Sequence, residues 1–243
     1  MRVFANTDVG MARDINQDSF YISGEEEEIK LYILADGMGG YNGGEIASSL
    51  AVESVRNYIK NNYHKEQTDK EELAKLVKNS LEYANMVVYD KSRTDINLSE
   101  MGTTIDVCLI YNNRAIIGHI GDSRVYRIRN NIFRKLTTDH SYVEKLVKDG
   151  KISKEEALYH PKRNMLMRAL GCTPYVEPDM LIKGFQKNDI ILMCSDGLTN
   201  MVSEKEIHDI IKLEIKTADK FLVDAANNTG GLDNITVIII ENN

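Results

Sequence analysis

Cysteine, proline and positive charge are all scarce in this chain. Its 243 residues include 3 Cys and 3 Pro, and 30 basic against 37 acidic side chains leave a formal charge of −7. Cys108, Cys172 and Cys194 are odd in number and far apart, which suits neither a disulfide framework nor a zinc cluster. Two of them, Cys108 and Cys194, fall in the apolar runs TIDVCLIY and DIILMCSDG and are expected as buried, inert thiols. Few prolines, with 42% hydrophobic and 28% charged residues, exclude long disordered or proline-rich regions. The cation deficit removes the overall positive field that recruits a polyanion, so no nucleic acid partner is expected. No apolar run reaches the ~20 residues that cross a bilayer, and the opening MRVFANTDVGMARD has no signal-peptide core. A cytoplasmic location without membrane contact is therefore expected. Internal repeats, low-complexity tracts and Gly/Ser linkers are absent too, and the expectation is one domain over 1–243, acting as a monomer.

What the chain does have is a series of short β-rich runs, at 31–34, 104–111, 115–120, 124–128, 189–194 and 235–240. Asn112-Asn113 and Asn130-Asn131 separate neighbouring runs by two residues that tolerate the left-handed conformation, the pattern of tight hairpin turns. The acidic run 25–28 reads as a solvated turn. The spacing of Ile46, Leu50, Val55, Tyr58 and Ile59 predicts a helix over about 44–63. A second is predicted from Thr68, which forms a capping-box pattern with Glu71 and precedes the stripe Leu73, Leu76, Val77, Leu81, Ala84, Val87 and Val88. Further helices are predicted at 142–149, 154–159 and 204–213. Strand blocks with helices in separate groups argue for an α+β fold, a central antiparallel β-sandwich flanked by helices on both sides.

Four aspartates stand where apolar strands meet glycine-containing turns. Asp36 closes LYILAD before Gly37, Asp122 follows RAIIGHIG, Asp196 follows IILMCS before Gly197, and Asp233 sits in GGLDN before ITVIII. An ionised carboxylate beside a buried strand end is costly unless solvated or paired, and no run of lysines lies nearby to pair it. Converging acids suit hard cations such as Mg²⁺ and Mn²⁺, which take carboxylate, carbonyl and water oxygens. Any one Asp before Gly is also ordinary turn chemistry; four together weaken that reading. The glycine-rich DGMGGYNGGE over 36–45 lacks a Walker lysine and GxGxxG spacing, so nucleotide binding is unsupported. RDINQD supplies Arg13, Asn16 and Asp18; an arginine fork matches two phosphate oxygens, and an exposed Arg beside Asp is equally a solvated ion pair.

Taken in order, RDINQD (13–18), DGMGGYNGGEIAS (36–48), MGTT (101–104), GDSRVY (121–126), HPKRNMLMRALG (160–171), CSDGLTN (194–200) and GGLDNITVI (230–238) closely resemble the bacterial protein phosphatase 2C family of metal-dependent Ser/Thr phosphoprotein phosphatases. The likeness spans essentially the whole chain. It implies two packed antiparallel sheets with flanking helices, and a centre of two Mn²⁺ or Mg²⁺ ions with a weaker third. By position, Asp36 corresponds to the acid bridging two ions, Gly37 to a carbonyl ligand, and Asp196 and Asp233 to the remaining acidic ligands. Asp18 corresponds to an outer acid that holds waters, Arg13 to the phosphate-binding arginine, Asn234 to an asparagine beside the substrate, and Asp122 with Asp196 to the third-ion site. The segment of about 139–168 corresponds to a flap. The resemblance implies hydrolysis of phosphoserine and phosphothreonine proteins by metal-activated water, opposing a cognate Ser/Thr kinase, with Ser195 a turn residue and not a nucleophile. Where many bacterial relatives carry His as a candidate general acid this chain has Tyr41, leaving Tyr41, His140 and His160 as alternatives. A pseudophosphatase that binds without turnover is the competing reading, and a two-metal nuclease conflicts with the acidic charge.

Overall fold

The computed structural model describes residues 1–38, 40–64 and 69–243, with the backbone alone at 40–42. In chain order its elements are β1 (Arg2–Asp8), β2 (Asp18–Ile22), β3 (Lys30–Met38), α1 (Gly40–Asn62), α2 (Lys70–Thr94), β4 (Gly102–Thr103), β5 (Ile105–Tyr111), β6 (Arg114–Ile120), β7 (Arg124–Arg129) and β8 (Ile132–Lys135). There follow α3 (Tyr142–Lys148), α4 (Lys154–Tyr159), β9 (Asp179–Gly184), β10 (Ile190–Cys194), α5 (Asp196–Thr199), α6 (Glu204–Leu213), α7 (Ala218–Asn228) and β11 (Ile235–Glu241). One sheet runs β1-β11-β10-β7-β8 and the other β2-β3-β5-β6-β9, with β4 on the end of β3. All of these pairings are antiparallel.

Side-chain alternation along the central strands divides the core into three apolar layers. On β3, Leu31, Ile33 and Ala35 pack with α1 and α2 residues such as Val55, Ile59, Leu73, Val77 and Leu81, while Tyr32 and Leu34 face inward with Cys108, Ile117, Phe185, Met193 and Ile238 between the sheets. On β11, Ile235, Val237 and Ile239 turn outward to Leu198, Ile207, Ile211, Leu222 and Val223 of the other helices. The result is the predicted α+β sandwich with helices on both sides. Each fully buried Leu or Ile side chain contributes roughly 1.5–3 kcal/mol; the middle layer has no access to water and needs nearly every inward side chain apolar.

The two Asn pairs form the predicted hairpin turns, with φ of 45° and 58° at Asn112 and Asn113 and 50° and 62° at Asn130 and Asn131. Cys108 and Cys194 are buried and Cys172 is exposed, all three with free thiols. Residues 154–159 and 204–213 are helical as predicted. Thr68 lies outside the described residues; the cap position of α2 is Asp69, whose side chain makes no capping bond. Helix α1 begins at Gly40, ahead of the predicted Gly44. A glycine inside a helix costs about 1 kcal/mol against alanine, and close packing explains its use here. A Cβ on Gly43 would lie 2.9 Å from Met101 Cβ, and one on Gly44 2.7 Å from the Gln17 amide carbon. Sequence reading missed β1, β2, β8 and β9, whose residues are mostly only partly buried, and α7, whose inner stripe includes the small Ala218 and Ala226.

Candidate active site

Five acids reach one end of the sandwich on different strands. Asp36 lies inside β3, two residues short of its end, because β4 extends the strand by pairing Gly37 with Thr103 and Met38 with Gly102. Asp18, at the start of β2, stands directly opposite Asp36 in register, a like-charge pairing that destabilises a sheet. Asp122 follows β6, Asp196 follows β10 and Asp233 precedes β11. A cavity of about 590 Å³ opens there, lined among others by Arg13, Ile15, Gln17, Asp36, Gly37, Thr104, Asp122, Asn164, Leu166, Asp196 and Asp233. Two of the four strand-end acids thus come from each sheet, and the cavity straddles the sandwich.

The backbone around these acids is tightly tied. The Asp36 amide N–H donates to Thr104 Oγ1 at 3.0 Å, the Thr104 N–H donates to the Asp36 carbonyl at 2.8 Å, and Thr103 Oγ1 donates to that same carbonyl at 2.9 Å. Thr104 Oγ1 also meets Ser123 Oγ at 2.8 Å, joining the Asp36 strand to the turn that carries Asp122. Gly37 is compulsory: a Cβ there would stand 2.1 Å from the Gly44 carbonyl oxygen and 2.5 Å from that of Gln17. Gly197 is under the same constraint, with the Asn234 carbonyl oxygen 2.0 Å from its would-be Cβ. Glycine after Asp36 and after Asp196 therefore reflects close backbone approach and not turn preference alone.

Ser195 donates from Oγ to Asp18 Oδ2 at 2.8 Å and accepts the Thr236 N–H at 2.9 Å. It orients an acid, in line with its expected place outside the chemistry. Asp18 Oδ1 is buried without a partner. Asp233 Oδ2 accepts from Arg13 Nη2 at 2.9 Å, and Asp196 Oδ2 accepts from Asn200 Nδ2 at 3.0 Å. Among the described lining residues Arg13 is the sole cation. The protein is dense behind the acids, and burial, followed by the repulsion of Asp18, Asp196, Asp122 and Asp233, pushes the Asp36 carboxyl well above the usual range. Burial raises Asp18 to about 7, against the bonds from Thr236 and Ser195 and with help from Asp196 and Asp233. It likewise raises Asp122 to about 7, with Asp196 and Asp139 adding to it. Asp196 is raised by burial and by Asp233.

This is an oxygen-rich, negatively charged, under-compensated site. Among the described residues, no three His, Cys, Asp or Glu side chains close on one point as a finished cage; the acids ring a shared volume. The donor set is nonetheless that of a hard divalent cation, and the unpartnered Asp18 Oδ1 and the raised acids are what such a charge would relieve. The residues present fit Mg²⁺ or Mn²⁺.

Three expectations change on contact with the geometry. Asn234 does not line the cavity: its Nδ2 donates to the carbonyls of Val9 at 2.9 Å and Ile15 at 3.0 Å, and its Oδ1 accepts the Gln17 N–H at 2.8 Å. All three bonds hold the 9–17 loop that carries Arg13, so Asn234 positions the loop, with both Nδ2 protons committed to it. His140 is no spare acid, being buried, with Nδ1 accepting from Gly121 N–H at 3.1 Å and Nε2 facing Asp179 Oδ2 at 3.2 Å. His160 caps Lys162 N–H with Nδ1 and is outside the lining. The Tyr41 side chain lies outside the described residues. Residues 139–168 bring Asn164 and Leu166 to the cavity, although α3 and α4 bury none of their own residues. Sequence reading missed Thr104 as the brace of Asp36, for which MGTT was the signal, and did not single out Ile15 and Gln17 within RDINQD or Asn164 and Leu166 within HPKRNMLMRALG.

Comparison with known proteins bears on this arrangement. The protein phosphatase 2C family model matches residues 12–223. The serine/threonine phosphatase Stp of Listeria welshimeri is 38% identical over 242 residues, covering 98% of this chain and 94% of that protein. Protein phosphatase PhpP of Streptococcus pneumoniae is 39% identical over 246 residues, covering 100% and 98%. Among solved structures, the S. agalactiae serine/threonine phosphatase superposes with a TM-score of 0.92 at 34% identity, covering 100% of this chain and 99% of that one. The catalytic domain of the phosphatase PstP, solved in complex with 2 manganese ions, superposes with a TM-score of 0.86 at 32% identity, covering 98% and 96%.

Proposed function

We propose, for a chain that belongs to the protein phosphatase 2C family and is a bacterial-type serine/threonine phosphoprotein phosphatase, that the acid-ringed cavity is its catalytic centre. The observation that carries this is the set of five aspartates, Asp14, Asp36, Asp122, Asp196 and Asp233, lining one volume with a single arginine among them. Asp36, the Gly37 carbonyl, Asp196 and Asp233 would hold two divalent cations, Mn²⁺ or Mg²⁺, and Asp122 with Asp196 a weaker third. When bound, such ions supply Lewis-acid charge against phosphate oxygens and lower the pKa of water.

The chain's own residues do the rest. Arg13 uses only Nη2 on Asp233, and its remaining N–H groups are available to two phosphate oxygens. Asp18 Oδ1, unpartnered and held in place by the bond from Ser195 to the other oxygen, is an acceptor for a water O–H. Leu166 and Ile15 wall the cavity with apolar surface and limit bulk water at the phosphate. The substrates in this reading are proteins phosphorylated on serine or threonine by a cognate kinase. Residues 1–243 work as one domain, with 139–168 as a flap. Phosphate release from a phosphothreonine peptide, titrated with Mn²⁺ and stripped with a chelator, tests it: hydrolysis that needs the metal is expected. Tight phosphopeptide binding without turnover at any metal concentration, or turnover indifferent to chelation, overturns it. Among the described residues, no helix is long and apolar enough to cross a membrane.

A further inference from the structure

Behind the cavity, His119 of β6 faces Asp106 of β5 in cross-strand register, and both side chains are wholly buried. His119 Nδ1 lies 2.7 Å from Asp106 Oδ1 and Nε2 lies 3.0 Å from the Thr138 carbonyl oxygen. Nε2 faces a carbonyl and carries a proton, while Nδ1 shares one with the Asp106 carboxyl, whose own pKa burial raises against the pull of His119. Burial opposes a charged imidazole, but Asp106 and the Thr138 carbonyl outweigh it and raise its pKa. A buried His–carboxyl pair is poor value as a source of stability, since apolar residues of similar volume often do as well. Neither residue lines the cavity. What the pair does touch is the root of the 139–168 segment.

That root is wired in two directions. The His140 ring packs against His119 at a tilt of 42°, with centroids 4.6 Å apart. His140 clasps the turn before Asp122 twice: its N–H donates to the Gly121 carbonyl at 2.7 Å, and its Nδ1 accepts the Gly121 N–H at 3.1 Å. On the other side the His140 carbonyl accepts the Met167 N–H at 2.7 Å, next to Leu166, which itself bridges to Ser141. One strap thus holds both the Asp122 turn and the strand-like stretch that brings Leu166 to the cavity.

We propose that Asp106 and His119 are a positioning pair: by anchoring the Thr138–His140 backbone between the sheets, they set Asp122 and Leu166 in the cavity as one unit. The catalytic consequence rests on the reading of Asp122 as a cation ligand; the positioning itself does not. Amide hydrogen exchange on the full chain without added metal reads the positioning directly. His119→Gln is expected to speed exchange at Gly121, His140 and Met167 at least ~10-fold, the loss of a charge-assisted bond, while β1 and β11 keep their rates. Ile117→Val, a one-methyl deletion in the same layer, is the control for general loosening and should leave the three amides as they are. With Mn²⁺ present, His119→Gln should need several-fold more metal for half-maximal phosphopeptide hydrolysis, with kcat at saturating metal little changed. If His119→Gln does not fold, Asp106→Asn is read by the same criteria. Unchanged exchange at the three amides, a rise spread evenly over both sheets, or failure of both variants to fold makes the pair an ordinary part of the core and overturns the proposal. Absence of any phosphatase activity leaves the exchange result standing and counts against the catalytic reading alone.

Discussion

Asp139 and Asp36 are carboxylates backed by dense protein at the same end of the sandwich, and they titrate in opposite directions. Burial pushes both up. For Asp139, Arg124 Nη2 at 2.8 Å and Lys135 outweigh it and hold the carboxyl below its usual range. For Asp36 there is no such partner; four more acids face it and the carboxyl ends well above that range. Burial is common to both and cannot be what distinguishes them. The difference is counter-charge, supplied by the chain in one place and withheld in the other. A site that withholds it is destabilised on its own and completed by a cation from solution.

The largest expected effect breaks that contrast at its acidic pole. Asp36→Asn and Asp196→Asn should each lower Mn²⁺-dependent phosphopeptide hydrolysis by more than ~100-fold, beyond what loss of an outer partner of a metal ligand costs. The same substitutions should leave metal-free melting unchanged or raised, because each removes a repelled charge. Near-normal turnover in a folded Asp36→Asn variant would sink the two-metal reading. At the compensated pole the sign reverses. Asp139→Asn strands Arg124, whose side chain is 25% exposed, and should cost up to about 3–5 kcal/mol in denaturant unfolding, less what solvent screens on the open side. A neutral or stabilising outcome would mean that counter-charge is not what separates the two regions.

A smaller, graded effect is the pH dependence of the metal-free protein. Asp18 and Asp122 have folded pKa values of about 7, above the ~3.9 of an unfolded aspartate. The folded state therefore keeps protons on these two groups that the unfolded state releases, and their contribution to stability is full below about pH 4 and lost as pH rises toward 7, opposite in sign to that of the paired Asp139. This is the reverse of ordinary acid denaturation. Across that window the chelated protein should lose melting temperature relative to its Asp122→Asn variant, which lacks one of the two groups, and excess Mn²⁺ should flatten the difference at its upper end. A chelated protein that gains on its Asp122→Asn variant from pH 4 to 7 would contradict the raised acids.

Much of this contrast could be read in the sequence, but only its acidic half. Aspartates at apolar-to-glycine junctions are visible one by one, and their order carried the family likeness. The short β-rich runs at 31–34 and 235–240 implied strands, and two-residue Asn turns implied the hairpins. The compensated half was invisible, because Arg124, Lys135 and Asp139 become one cluster only when β7, β8 and the stretch after them meet. Asn234 illustrates the same limit: GGLDN identifies the residue, but its role lies in three bonds to residues more than 200 positions away. Strands β1 and β9 were missed because edge strands, half-buried, give a weak period-two signal. The start of α1 was missed because glycines that break helices in general are needed here by close packing.

The smallest expected effect sharpens the comparison, since it concerns the same Arg–Asp chemistry in the open. Arg124 grips Asp139 through Nε and Nη2; Arg13 meets Asp233 through one N–H, with side chains 51% and 37% exposed. An exposed, single-bond pair contributes about 0–1 kcal/mol, so Arg13→Ala should scarcely move the melting temperature, in contrast to Asp139→Asn. Its effect should appear in substrate binding: a raised KM for a phosphothreonine peptide, with half-maximal Mn²⁺ unchanged. Arg13→Lys separates charge from fork geometry, because a lysine keeps the charge but lacks the planar bidentate donors. If KM for Arg13→Lys stays close to that for Arg13→Ala, the fork is what the phosphate uses. Return of the lysine variant to the parent KM would make Arg13 a point charge, and a drop in melting temperature as large as that of Asp139→Asn would make it structural.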